Sequence, residues 1–243
     1  MNFIQKNFKL LLTASLATAL FSCNNSAEKK DEPAKPVDST TTAPSQAAVP
    51  KITVPFDFME ISHAVKDYGV WKKAFDADST ARNAAGLGFI VMAKQPDNPS
   101  DLCITFSAAD ISKAKAFAAD PRLKDVMEKN GVISKPNIRY WHALRFNPDS
   151  KEKNWVIVTH KVKDYDTWVK AFDAEGTSTR AANGLVDVVL ARGIDDQGLV
   201  HIIFDITDMA KAKARINSPE LKKIMMGAGV EGVPEIKFYS AVE

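Results

Sequence analysis

Residues 63–77 read H-A-V-K-D-Y-G-V-W-K-K-A-F-D-A, and residues 160–174 read H-K-V-K-D-Y-D-T-W-V-K-A-F-D-A. The chain therefore carries one unit twice. Downstream, each copy has an arginine (Arg82, Arg180), a Gly-Leu (86–87, 184–185), a residue-Pro step (Asp120-Pro121, Ser218-Pro219), a Gly-Val (131–132, 229–230) and a proline (Pro136, Pro234). The offset is 97 residues at the histidines (63 and 160) and 98 from the arginines onward (82 and 180), which places a one-residue insertion late in the first helix of the unit.

Each copy follows one plan. Phe58–Val65 and Trp155–Val162 alternate as strands do, and Asp67 and Asp164 stand where a side-chain oxygen caps the next helix. Tyr68, Trp71, Ala74 and Phe75, like Tyr165, Trp168, Ala171 and Phe172, share one helical face, and Gly86 and Gly184 end that helix. Two further strands (87–94 and 102–107; 185–192 and 199–205) form a hairpin. A second helix then starts near Asp110 or Thr207, restarts with proline in its first turn at Pro121 or Pro219, and stops at Gly131 or Gly229. Strands 137–146 and 235–242 close the units. The order β-α-β-β-α-β is the ferredoxin-like split βαβ, an α+β fold. Its four-stranded sheet leaves one face bare, so two units in one chain are expected to join as an intramolecular pseudo-dimeric eight-stranded α/β barrel.

The opening H-x-V-x-D-Y-x-x-W…F-D…R…G-L and the closing S-P-x-L-K-x-x-M…G-V…P-x-I resemble small bacterial dimeric α/β-barrel proteins related to the antibiotic-biosynthesis monooxygenases. The resemblance spans nearly all of residues 58–243. It implies the barrel but no one chemistry, because that superfamily holds cofactor-free oxygenases, haem-degrading enzymes, haem peroxidases, isomerases and proteins without assigned activity.

Ahead of the repeats, a basic lead (Met1–Lys9) and an apolar run (Leu10–Phe21) form a secretory leader too short to span a bilayer. Leu20-Phe21-Ser22-Cys23 resembles the lipobox of bacterial lipoproteins, so residues 1–22 are expected to be a signal peptide and Cys23 the lipidated new N-terminus. Residues 23–55 hold Pro33, Pro36, Pro44, Pro50 and Pro55 and few large apolar side chains, the composition of a disordered tether. The expected domains are then repeat 1 at 56–146, a linker at 147–153 and repeat 2 at 154–243. The expected address is an exported, membrane-anchored protein of the bacterial outer membrane or cell surface, its domain in the periplasm or outside. With 32 Lys and Arg against 30 Asp and Glu, and with Lys6 and Lys9 inside the leader, there is no basic stripe for nucleic acid.

Candidate functional residues follow from chemistry. His63 and His160 sit at the ends of the first strands and are the candidate general bases, their direction undetermined because both faces of a barrel strand are covered. Arg82 and Arg180 are candidate carboxylate clamps; the alternative is that each caps a helix C-terminus or pairs with an acid of the chain. Differences between copies mark further ligand-binding candidates: Cys103 aligns with His201, Phe89 with Asp187, and His142 with Ser240, while Trp141 and Tyr239 occupy matched positions of the closing strands. A simple hairpin puts Leu190 opposite His201 and Asp187 on the other face, so an Asp187–His201 dyad requires a bulge. The histidines lack zinc spacing and no phosphate loop or nucleophile elbow occurs, so no metal and no resident cofactor are expected; haem ligation by His142, His160 or His201 is implied only by the resemblance. The leading functional expectation is a lipid-anchored monomeric pseudo-dimer that binds a small, partly apolar molecule in the barrel. A cofactor-independent monooxygenase or isomerase using a strand-1 histidine, and a structural or partner-binding module, are the alternatives.

Overall fold

The computed structural model describes residues 53–242. The expected leader, Cys23 and nearly all of the tether lie outside the described residues.

The chain runs β1 (Phe56–Ala64), α1 (Tyr68–Ala77), α2 (Ser79–Ala84), β2 (Leu87–Lys94), β3 (Asp101–Ala108), α3 (Ile111–Ala118), α4 (Pro121–Lys129) and β4 (Asn137–Phe146). The second copy repeats this as β5 (Asn154–Val162), α5 (Tyr165–Glu175), α6 (Thr177–Ala182), β6 (Leu185–Gly193), β7 (Leu199–Ile206), α7 (Met209–Ile216), α8 (Pro219–Gly227) and β8 (Val230–Ala241). The strands close a barrel in the order β1-β3-β2-β8-β5-β7-β6-β4. The expected α+β barrel of two ferredoxin-like units is the fold of this protein.

The capping aspartates set where helices begin. Asp67 accepts from the Val70 N–H at 2.9 Å and Asp164 from the Thr167 N–H at 2.7 Å, each contact contributing about 1 kcal/mol. Proline at the first position starts α4 and α8, where its missing N–H removes no helical bond.

The first helix of each unit is not continuous to the glycine, as the sequence pattern implies, but breaks into two. Asp78 turns the chain between α1 and α2, and Gly176, at φ 82°, does so between α5 and α6. Gly176 is where the one-residue offset is absorbed, since α5 extends through Glu175 before the break. The break frees carbonyls at the helix end, and an arginine fills the role: Arg82 donates to the Phe75 carbonyl at 2.6 Å and Arg180 to the Phe172 carbonyl at 2.8 Å.

Helices cover the outer face of the barrel. Met59 and Ile61 of β1 pack with Trp71, Ala114 and Phe117, and Val156 and Val158 of β5 with Trp168 and Ala212, giving two equivalent helix-to-sheet cores. Burial of each such large side chain stabilises by roughly 1.5–3 kcal/mol. The other faces of the strands line the lumen, where Phe58, Trp141, Ala143, Val189 and Ala191 form a separate cluster.

The two seams between units are unequal. The β4–β6 ladder runs from Trp141↔Gly193 to Phe146↔Val189, whereas β2–β8 consists of Ala93↔Ala241 and Lys94↔Ser240. The β6–β7 register pairs Ala191 with His201, one residue later than a simple hairpin, because the turn tightens around Asp196, whose carbonyl accepts from Leu199 N–H and whose carboxylate accepts from Gly198 N–H. β8 begins earlier than the sequence pattern indicates, its ladder with β5 resuming beyond a register shift at which Gly232 takes φ 69°.

Candidate functional site

Alternation along β1 sends Met59, Ile61 and His63 to the helices and Phe58, Glu60 and Ser62 to the lumen. His63 packs on Trp71 with ring centroids 5.4 Å apart, and His160 on Trp168 at 5.3 Å. The structure turns both imidazoles away from the lumen, so a lumen base has to come from another residue. Neither ring nitrogen of either histidine has a hydrogen-bond partner, and burial pushes both groups down from 6.5 to about 4, which keeps them neutral.

Arg82 and Arg180 lie on the same outer side. Their guanidinium carbons sit 3.9 and 4.0 Å from the ring centres of Phe75 and Phe172. Arg180 also holds Asp187 through both carboxylate oxygens at 2.7 and 2.6 Å. β6 does bulge between Asp187 and Val189, yet Asp187 stays on the helix face opposite Phe204, and no Asp187–His201 dyad forms. His142 is likewise outside, its Nδ1 2.6 Å from an Asp57 carboxylate oxygen. Of the candidate residues, Trp141, His201 and Tyr239 are the ones brought together inside the barrel.

The lumen has two halves. At the end crossed by the 147–153 linker, a cavity of about 220 Å³ is walled mainly by apolar side chains such as Phe56, Phe58, Phe146, Trp155, Ile157 and Val189, with Cys103, Thr105, Asn147, Ser150 and Tyr239 as its polar members. It adjoins the part of β2 that precedes the short seam with β8. At the opposite end Arg139 of β4 reaches across to Glu235 of β8 at 2.7 Å, and Lys237 meets the same carboxylate at 2.6 Å. Burial raises the Glu235 carboxyl, but the hydrogen bonds and charges of Lys237 and Arg139 outweigh it and leave the group below its usual value. A void of about 10 Å³ beside Glu60, Thr159 and Tyr239, room for about one water, lies between the halves.

A chain of buried polar groups joins these halves. Thr159 Oγ1 is 3.0 Å from His201 Nδ1, and His201 Nε2 is 3.5 Å from Glu60 Oε2. Cys103 and Tyr239 pack together in a separate buried cluster, and Tyr239 lines the same void as Glu60. Trp141 stacks on His201 with centroids 4.4 Å apart. Burial lifts the Glu60 carboxyl from 4.5 to about 7 against the pull of Arg139, and lowers His201 from 6.5 to about 3. Burial also raises the Cys103 thiol and the Tyr239 phenol. These buried groups are therefore uncharged below neutrality, and Glu60 is the member whose charge changes near it.

Glu60, Arg139, Glu235 and Lys237 were not among the sequence candidates. The signal that finds them is a mismatch at lumen-facing positions: Glu60 aligns with Ile157, Asn137 with Glu235, and Arg139 with Lys237. Among the described residues, no group of three or more His, Cys, Asp and Glu side chains is placed to hold a metal ion. No described helix is long and apolar enough to cross a membrane.

Fold and lumen together define a ferredoxin-like dimeric α/β barrel closed within one chain. Solved structures share that fold. An anthrone oxidase-like protein aligns at TM-score 0.53 and 13% identity, over 78% of this chain and 92% of its own. A candidate monooxygenase from Fusobacterium nucleatum subsp. nucleatum aligns at TM-score 0.52 and 10% identity, over 79% and 94%. An uncharacterised ferredoxin-fold protein from Listeria monocytogenes, related to antibiotic biosynthesis monooxygenases, aligns at 0.46 and 10%, over 78% and 96%. No protein-family model matches the sequence, and no curated protein does.

Proposed function

We propose that the protein is a lipid-anchored cell-envelope protein whose barrel binds one small, partly apolar molecule. The observation that carries the binding reading is the cavity of about 220 Å³ at the linker end of the lumen, walled mostly by aromatic and aliphatic side chains with Cys103, Thr105, Asn147, Ser150 and Tyr239 as its polar groups. Such a site, mostly apolar with a few placed polar groups, is what small-molecule pockets have in common. Cavities of roughly 150 Å³ hold benzene, so a single substituted ring is the size that fits. The descriptions of the fold neighbours as oxidase-like and monooxygenase-related are in keeping with a small-molecule site.

The anchor rests on the leader and on Cys23, and exposure to the cell envelope follows from it. Metabolic labelling with a fatty-acid analogue tests it: the wild-type chain takes up label and the Cys23→Ser chain does not. Ligand-observed NMR with toluene and cyclohexanone tests the cavity. Saturation transfer from protein to ligand is expected for the wild-type chain and is abolished by Ile157→Trp, which fills the cavity. Transfer that survives in the filled variant refutes the assignment.

A further inference from the structure

We infer that the lumen cavity is an oriented site for a neutral single-ring alcohol, with Thr105 of β3 as the residue that receives the hydroxyl. The inference rests on the cavity reading above and adds the ligand's polar group, its direction and the residue that selects for it.

Matched positions of the two units do not contribute alike to the cavity. Ile157, Cys103 and Tyr239 line it, whereas their counterparts Glu60, His201 and Trp141 do not. On that second side Trp141 stacks on His201 with ring centroids 4.4 Å apart, and both are fully buried. Tyrosine for tryptophan and cysteine for histidine give the first side smaller side chains, and that is the side left open. A further difference is chemical. Val91 and Phe58 correspond to Val189 and Trp155, apolar wall residues in both units, but Thr105 stands where the second unit has Ile203.

Thr105 is 8% exposed, lines the cavity, and its hydroxyl has no hydrogen-bond partner among the described residues. It pairs across the ladder with Glu60, which borders the void between the two halves of the lumen, so it marks the deep end. The amide and hydroxyl side chains at the mouth are already engaged. Asn147 Nδ2 donates to the Asp187 carbonyl at 3.4 Å, its side-chain oxygen accepts from the Asp149 N–H at 3.0 Å, and Ser150 Oγ donates to Asp205 at 2.8 Å. Phe56 and Phe146, at the same mouth, pack edge to face at 5.6 Å. A ligand therefore turns its oxygen inward to Thr105 and its ring outward to these phenylalanines. Threonine both gives and receives a hydrogen bond, as an alcohol does. The cavity is lined by no charged side chain, and an ion there would lose its hydration without a counter-charge, so the ligand is neutral. Its volume of about 220 Å³ exceeds the roughly 150 Å³ that holds benzene by the space of about two further heavy atoms.

The experiment titrates the full chain with benzyl alcohol and with ethylbenzene, which carries a methyl group in place of the hydroxyl, and reads affinity from saturation transfer. Both are expected to bind. Thr105→Val keeps the shape and removes the hydroxyl, leaving the bound alcohol unpaired, so the affinity for benzyl alcohol relative to ethylbenzene should fall by roughly 10-fold or more. Thr105→Ser should leave that ratio near the wild-type value. Should Thr105→Val fail to fold, the wild-type chain decides through intermolecular nuclear Overhauser effects: the Thr105 methyl group should contact the methylene of bound benzyl alcohol and not its para proton. An unchanged ratio in Thr105→Val, contact with the para proton alone, or toluene binding without benzyl alcohol binding overturns the oriented site and leaves the cavity reading standing. Absence of binding by both probes, toluene and cyclohexanone overturns both.

Discussion

Replacing Glu60 by glutamine is expected to change the pH dependence of stability in one direction. Glu60 titrates near 4.5 when unfolded and at about 7 in the folded barrel, where burial disfavours its charge. Between those values the unfolded chain has lost the proton that the folded chain keeps, so stability falls as pH rises and the loss is complete above about 7. At about 1.4 kcal/mol per pH unit the interval corresponds to roughly 3 kcal/mol. Glutamine has nearly the same shape and cannot ionise, so the variant lacks this loss. The wild-type curve alone does not isolate the effect, because buried neutral His63, His160 and His201 make stability rise with pH over an overlapping range. The difference between the proteins does. Urea unfolding at pH 5 and pH 8 should show Glu60→Gln gaining on wild type by roughly 2–3 kcal/mol between the two conditions. A difference that stays constant with pH to within about 0.5 kcal/mol refutes burial of an ionisable carboxyl at this position.

Other outcomes follow from the same geometry. His63 is held down at about 4, so its contribution is present above 6.5 and is lost as pH falls toward 4; His63→Gln should make the acid limb of the stability curve shallower by roughly 3 kcal/mol, measured by urea unfolding at pH 7 and pH 4. Arg180→Ala leaves Asp187 without its bidentate partner and removes the donor to the Phe172 carbonyl, and should destabilise by about 3–5 kcal/mol in urea titration. Arg82→Ala loses a carbonyl contact and a ring stack but no bidentate carboxylate, and should destabilise by less under the same conditions.

Much of the architecture is legible in the sequence because repeat, periodicity and punctuation agree. The capping aspartates, the prolines of α4 and α8 and the glycines after α2 and α6 fix the elements, and duplication points to the closed barrel. Breaks within the first helices are not legible, since Asp78 is an ordinary helical residue by pattern and the event that stabilises the break is Arg82 meeting a carbonyl seven residues back. The site is less legible than the fold. In a closed barrel both strand faces are covered, so alternation does not separate lumen from helix side, and the repeated His63 and His160 draw notice although they pack on tryptophans. The criterion that marks Asp187, an acid among apolar strand residues, applies equally to Glu60, whose neighbours are Met59 and Ile61. Asp187 finds its arginine seven residues away in sequence, while the partners of Glu60 come from strands distant in sequence.

The unlike residues at matched lumen positions have a consequence for what one chain can do that two identical chains cannot. In a symmetric homodimer every inward side chain faces a barrel that also contains its own copy, so a buried acid brings a second acid and a cavity at one place brings another at its mate. Joining the copies in one polypeptide lifts that constraint. Glu60 corresponds to Ile157, and His201 to Cys103. One buried carboxyl can then be kept without a copy of itself, with one apolar compartment beside it, and a single substitution alters one wall rather than two.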